Sequence, residues 1–282
     1  MTPLRTLALA SLALLVLVSS AHAEPARDLF GAIHKPTAGS ELPIGGYAKG
    51  CLAGAVQLPA DGPGWQAMRL SRDRRWGTSE LVGYIEALAR SAAQDGWPGI
   101  LVGDMGQARG GPMQSGHASH QIGLDVDIWL RRMPDHVLSA KERENISAAS
   151  VLKKGTRLVD PKLFGEGQRM LIYRAALLPG VARIFVAPGI KKSLCAINWR
   201  DRSFLEKIRP WYGHDDHFHV RLSCPAGTSS CIDQDPVPPG DGCGADLDYW
   251  FTDAPYLPSN NPPSPPLTLA DLPKACAAIL KK

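Results

Sequence analysis

Apolar and polar residues alternate along Phe218-His219-Val220-Arg221-Leu222. Strand side chains have period two, so Phe218, Val220 and Leu222 share one face while His217, His219 and Arg221 share the other. The pattern predicts a strand that buries its apolar face and aims two imidazoles from the opposite one. A second alternation runs from Leu124 to Leu130, with Leu124, Val126 and Ile128 facing away from Asp125, Asp127 and Trp129. That predicts a half-buried strand.

Helical spacing appears elsewhere. Leu81, Ile85, Leu88 and Ala92 recur at helical intervals, with Thr78 or Ser79 as the cap, and Gly96 stops the helix just after Asp95. Gly165 to Leu178 predicts a second helix, ended by Pro179-Gly180, and Ser139 caps a short polar one through about Ser147. Shorter runs complete the outline. Leu52 to Leu58, Gly99 to Val102 and Val181 to Val186 read as strands. Gly189 to Ile197, Ser203 to Ile208 and Leu269 to Leu280 read as helices. The expected fold is α+β: a small antiparallel central sheet that carries the histidines, flanked by helices and long loops.

Composition changes the picture at both ends. Arg5, the apolar run Leu7 to Val18 and Ala21-His22-Ala23 form an export signal over residues 1–23, which leaves 24–282 as a single domain. The apolar run is too short to span a bilayer comfortably, so no membrane span is expected after cleavage. Cys224 to Pro266 is crowded with Pro, Gly, Ser, Asp and Asn. So long an irregular segment is costly to order without help. Cys224, Cys231 and Cys243 lie within it, and Tyr249, Trp250 and Phe251 are there to dock it. With Cys51, Cys195 and Cys276 the cysteines number six, and no C-x-x-C pair occurs. An even number in an exported chain implies disulfides in an oxidising compartment, although spacing alone leaves the connectivity open. The formal net charge of +4 is not gathered into a basic stripe, which argues against nucleic acid as a partner.

Two stretches carry chemistry. Ser115 to Asp127 holds His117, His120, Asp125 and Asp127; Gly213 to Leu222 holds His214, His217 and His219. A catalytic zinc takes three His, Asp or Glu ligands and keeps a fourth position for water. His120 at the end of a loop, Asp127 inside the next strand and His219 on its own strand make such a set, with Gly123 allowing the turn between the first two. Asp125 points the same way as Asp127 and is its rival. No H-E-x-x-H helix is present. His217 is placed to move a proton or to stabilise an oxyanion. His214 and His117 are further pocket residues. Arg72, Arg74 and Arg75, in an arginine-dense stretch, offer guanidinium groups to a carboxylate-bearing substrate.

The spacing of His120 and Asp127, with the H-x-H of His217 and His219, resembles the signature of the lysostaphin, D-Ala-D-Ala peptidase and Hedgehog group. Over nearly all of residues 24–282 the chain resembles the penicillin-insensitive murein endopeptidases of Gram-negative bacteria. The stretches that carry this are Ile44-Gly45-Gly46-Tyr47-Ala48 with Cys51, Arg72 to Gly77, Ser115 to His120, Gly123 to Leu130, Arg183 to Val186, Arg209-Pro210-Trp211 and His217 to Leu222. The resemblance implies a periplasmic zinc enzyme that cuts the D-alanyl–meso-diaminopimelyl cross-link between peptidoglycan stem peptides. It implies zinc ligands at His120, Asp127 and His219, and a catalytic His217 with His214 nearby. His117 matches a metal-associated histidine of the family. No histidine lies between His136 and His214, where the family places one for a second metal. The family pattern also implies the pairs Cys51–Cys276, Cys195–Cys243 and Cys224–Cys231. Two other readings share the same residues: a zinc D,D-carboxypeptidase or dipeptidase acting on D-Ala-D-Ala ends, and a non-catalytic peptidoglycan-binding module with a structural zinc.

Overall fold

The computed structural model describes residues 23–281; the export signal expected over 1–23 lies outside these but for Ala23. The centre is a seven-stranded sheet. In spatial order its strands are Ile208–Pro210, Val181–Val186, His217–Leu222, Asp125–Trp129, Ile100–Val102, Trp65–Ala67 and Asp61–Gly62. The expectation of a small antiparallel sheet needs correction, because the sheet is larger and mixed. Ile208–Pro210 runs parallel to Val181–Val186, and Trp65–Ala67 runs parallel to Ile100–Val102. A parallel pair needs a crossover. The helix Ser79–Gln94 lies between one pair in the chain and the helix Pro188–Cys195 between the other.

One sheet face is apolar. Val126, Ile128, Ile184, Val186, Phe218, Val220 and Leu222 join Leu81, Ile85, Leu88, Leu171, Ile172 and Ile190 from the helices in one core. The Ser79–Gln94 helix begins where Thr78 accepts a hydrogen bond from the Leu81 N–H, and Gly96 follows it with φ of 72°. That is the cap-and-stop pattern read from the sequence. Ser139 and Glu142 form a capping box that starts Ala140–Asn145.

The opposite sheet face carries Asp125, Asp127, His219 and Arg221, all buried. The Asp125–Trp129 strand is therefore covered on both sides rather than half-buried. The segment after Ile100–Val102 lies against it, with the Gly103 N–H donating to the Asp127 carbonyl and the Asp127 N–H to that of Asp104, and the His120 N–H donates to Asp125.

Several elements differ in detail. The strand expected over Leu52 to Leu58 is Lys49–Ala53, paired with Leu42–Gly46; Gly54 at φ of 62° ends it. The closing helix is divided into a 3-10 turn, Leu269–Asp271, and the helix Lys274–Lys281, with Pro273 between them. A proline in mid-helix has no N–H to give and clashes with the preceding turn. The three disulfides are Cys51–Cys276, Cys195–Cys243 and Cys224–Cys231. The first sits in a second small core with Ala26, Phe30, Ile44, Leu272 and Ile279. The others pin the proline-rich tail. Trp250 docks this tail against Trp211 and Tyr212, with ring centroids 6.0 and 5.0 Å apart.

Candidate metal centre

Strand register builds the site. His219 lies directly opposite Asp127, Arg221 opposite Asp125 and His217 opposite Trp129. Residues opposed across an antiparallel pair share a face with Cβ atoms about 4.5–5.5 Å apart. His120 reaches the same point from the preceding loop. Its backbone is left-handed, with φ of 67°, which is unusual for a residue with a side chain. The conformation is held by its own N–H, which donates to Asp125 Oδ2 at 2.9 Å. Gly123, at φ of 73°, makes the turn into the strand, and a Cβ there would strike Leu52.

Three side-chain atoms then converge. His120 Nε2 is 3.1 Å from His219 Nδ1, and Asp127 Oδ1 is 3.4 Å from each. A tetrahedral cation bonded at about 2.0–2.1 Å keeps its donors about 3.3–3.4 Å apart; two edges of this triangle match that and the third, at 3.1 Å, is slightly shorter. Each imidazole is oriented from behind. His120 Nδ1 faces the Met105 carbonyl at 2.6 Å, and His219 Nε2 faces Asp125 Oδ1 at 2.9 Å. With protons on those outer nitrogens, the inner nitrogens turn lone pairs toward each other. Only a shared cation, a proton or a metal, reconciles them. Asp127 Oδ1 is moreover buried with no hydrogen-bond partner among the described residues. A buried carboxylate oxygen without a donor is costly, and a bound cation removes that cost. The residues therefore fit a divalent metal.

Titration follows from this crowding. Burial opposes ionisation of Asp127, yet the charges of His120 and His217 hold its carboxyl well below the usual range. Burial likewise opposes the charge on His120, but Asp127 raises its pKa. Burial pushes His219 down to about 4.

His117 gives a second grouping. With His120 and Asp127 it forms a set whose ligand atoms lie within 4.8 Å of one another. Its Nε2 is 3.6 Å from Asp127 Oδ2 but nearer Asp104 Oδ2, at 3.0 Å. It therefore braces Asp127 on the oxygen turned away from the triangle. Asp125 faces both His219 and the Arg221 Nε, at 2.9 and 2.8 Å. With the His120 N–H as a third partner, both oxygens of Asp125 are already occupied, whereas Asp127 Oδ1 accepts no hydrogen bond among the described residues.

A cleft opens over the triangle in two halves that share His117, Gly213 and His217. One half, of about 380 Å³, is lined by Arg69, Arg72, Asp104, Asp127 and Trp129. The other, of about 300 Å³, is lined by Phe185, Trp211, Tyr212, His214 and His219. His217 stands at the junction, with Nδ1 on Asp216 and Nε2 3.7 Å from Asp127 Oδ1. Burial disfavours its charge, but Asp127, Asp216 and Asp215 together raise its pKa to about 9. His214 is held by the Tyr212 carbonyl, with its ring 5.0 Å from that of His217. Burial and the charges of His219 and His217 push it down to about 3.

The arginines separate. Arg72 lines the cleft and donates to Asp104 at 3.1 Å. Arg74 is buried and committed to Asp104 and Ser115. Arg75, expected at the substrate, is not brought to the cleft; its guanidinium is tied to the Leu58 carbonyl. Sequence reasoning missed Asp104, Asp216 and the cleft position of Arg69. Asp104 had a signal, a lone carboxylate between Gly103 and Gly106 just after a buried apolar strand.

Comparison with known proteins places the chain in a family. Residues 43–281 match the family model described as penicillin-insensitive murein endopeptidase. A relative of that name in Haemophilus influenzae is 44% identical over 242 residues, covering 86% of this chain and 83% of its own. Another, in Klebsiella pneumoniae subsp. pneumoniae, is 42% identical over 272 residues, covering 95% and 96%. A third, in Yersinia enterocolitica, is 43% identical over 250 residues, covering 88% of each.

Proposed function

This chain belongs to the penicillin-insensitive murein endopeptidase family, and from that premise we propose that it hydrolyses the D-alanyl–meso-diaminopimelyl cross-link of peptidoglycan as a zinc enzyme. The observation that supports this reading most is the triangle of His120 Nε2, His219 Nδ1 and Asp127 Oδ1, whose carboxylate oxygen accepts no hydrogen bond among the described residues. These three would hold the ion, and mixed imidazole and carboxylate donors suit zinc. When bound, zinc supplies a water of lowered pKa and a polarising charge for the scissile carbonyl.

The rest belongs to the chain. Asp125 and the Met105 carbonyl fix the two imidazoles so that the inner nitrogens face one point. His117 and Asp104 brace Asp127 from the other side. Asp216 orients His217 so that its Nε2–H faces the cleft, where it stabilises charge that develops on the substrate oxygen and returns a proton to the leaving nitrogen. His214, kept neutral, offers Nε2 to the same space. No serine is acylated in this scheme, which accounts for indifference to β-lactams. Residues 24–282 act as one catalytic domain in the periplasm. No helix among the described residues is long and apolar enough to cross a membrane.

Digestion of purified cross-linked dimers and uncross-linked pentapeptides tests the reading. Release of monomers, abolished by a chelator, is expected. Release of free D-alanine alone would make the protein a carboxypeptidase, and no turnover with metal bound would make it a binding module.

A further inference from the structure

The stretch Arg69-Leu70-Ser71-Arg72-Asp73 is built to hold its first residue over the cleft. Arg69 and Asp73 are both left-handed, with φ of 55° and 50°, and they bracket a 3-10 turn. Non-glycine residues enter this region at a cost and stay only where the surroundings insist. Here the surroundings are extensive. The Arg69 N–H donates to the Arg143 carbonyl at 3.2 Å. Ser71 is bound through N–H and hydroxyl to Glu144, at 2.9 and 2.8 Å. Beneath the turn, the buried Arg143 guanidinium donates to the Ala67 and Leu138 carbonyls.

The result is an arginine with nothing to hold. Among the described residues the Arg69 guanidinium makes no hydrogen bond and no ion pair. Its carbon lies 5.9 Å from the centroid of the Trp129 ring, and Trp129 is paired directly across the sheet with His217. Arg69 thus stands in the same cavity as His217, one side chain away. Arg72 shares the single carboxylate of Asp104 with Arg74. Of the two guanidinium groups lining this half of the cleft, beside Asp104, Asp127 and Asp216, only that of Arg69 has no carboxylate partner among the described residues.

We propose that Arg69, with Arg72 beside it, forms a subsite that reads the free carboxylate on the carbon bearing the scissile nitrogen. This rests on the proposed function, since the diaminopimelyl residue of the cross-link carries that carboxylate on the carbon bonded to the nitrogen to be released. A planar guanidinium can take it with two parallel N–H donors. The hydrogen bonds of the turn to Arg143 and Glu144 hold the Arg69 backbone at the edge of the cleft. Arg69 is a specificity residue here: it selects the substrate and takes no part in the bond chemistry.

The test uses the full metal-loaded chain and two cross-linked peptide dimers. They differ only in whether that carboxyl group is a free acid or a carboxamide. The parent is expected to favour the acid in kcat/KM by roughly ten- to a hundredfold, the range for a charge-assisted bidentate contact. Arg69→Ala should lose that preference by slowing on the acid and not on the amide, and Arg69→Lys should recover part of it. A merely structural role would slow both dimers equally. Unchanged acid preference in Arg69→Ala, or a parent that cleaves both dimers alike, overturns this proposal and leaves the endopeptidase reading standing. Failure of the parent to cleave either dimer overturns that reading, and the subsite with it.

Discussion

Asp125→Asn replaces one oxygen of the most heavily used carboxylate in the protein. Asp125 is 1% exposed. Oδ1 faces the His219 ring at 2.9 Å and Arg221 Nε at 2.8 Å, while Oδ2 accepts the His120 N–H at 2.9 Å. Burial opposes its charge, but Arg221 and His219 hold its pKa far below the ordinary value. The asparagine amide has one acceptor where the carboxylate had two, and its NH2 must face a donor on one side. Arg221 is then a buried charge without a counter-charge, and breaking such a pair costs about 3–5 kcal/mol. At roughly 2–4 °C per kcal/mol for a chain of this size, melting should fall by about 6–20 °C. His219 also loses the partner that sets its tautomer, so metal affinity should fall by about 10- to 100-fold. Thermal unfolding with and without zinc, and competition with a chromogenic chelator, measure the two effects separately. An Asn variant with parental melting and parental affinity would refute the account of how this site is held together.

Other predictions concern separate parts of the molecule. His219→Ala should abolish stoichiometric metal binding, whereas His217→Ala should keep the metal and lose turnover on cross-linked dimers; parental rates in the latter would remove His217 from the mechanism. Replacing Cys51 and Cys276 by serine opens a link spanning 225 residues and should destabilise by about 2–5 kcal/mol, read by denaturant unfolding of the oxidised chain. Lys191 is fully buried and donates to the Leu205 and Asp241 carbonyls, so Lys191→Met strands two acceptors and should cost about 2–4 kcal/mol. The hydrogen bond from Arg174 holds the Asp95 pKa below its ordinary 3.8, so this pair stabilises the fold above that pH and ceases to do so as the carboxyl protonates. Arg174→Gln should therefore lose less than about 1 kcal/mol at neutral pH, and the gap from the parent should close in acid; a gap that widens on acidification would contradict the sign.

How much of this was legible in the chain can be judged residue by residue. The period-two runs around Asp127 and His219 placed both side chains on polar strand faces, because the alternation of a strand is a local property of the backbone. Thr78, Ser139 and Gly96 marked helix ends for the same reason, since a cap is satisfied within one turn. Spacing could not show that His219 stands opposite Asp127 rather than Asp125, because register is set between strands that lie 90 residues apart in sequence. Nor could it separate the arginines of one short turn. Arg69, Arg72, Arg74 and Arg75 look alike in sequence, and only packing sends one to Leu58, two to Asp104 and one over Trp129. The parallel pairs escaped notice because one partner of each, Ile208–Pro210 and Trp65–Ala67, is a three-residue strand with too little periodicity to read. The sequence alone determined which residue types could bind a cation and on which faces they lie, since both follow from local chemistry. The tertiary structure decided which of them meet, because convergence depends on contacts between segments that the chain keeps far apart.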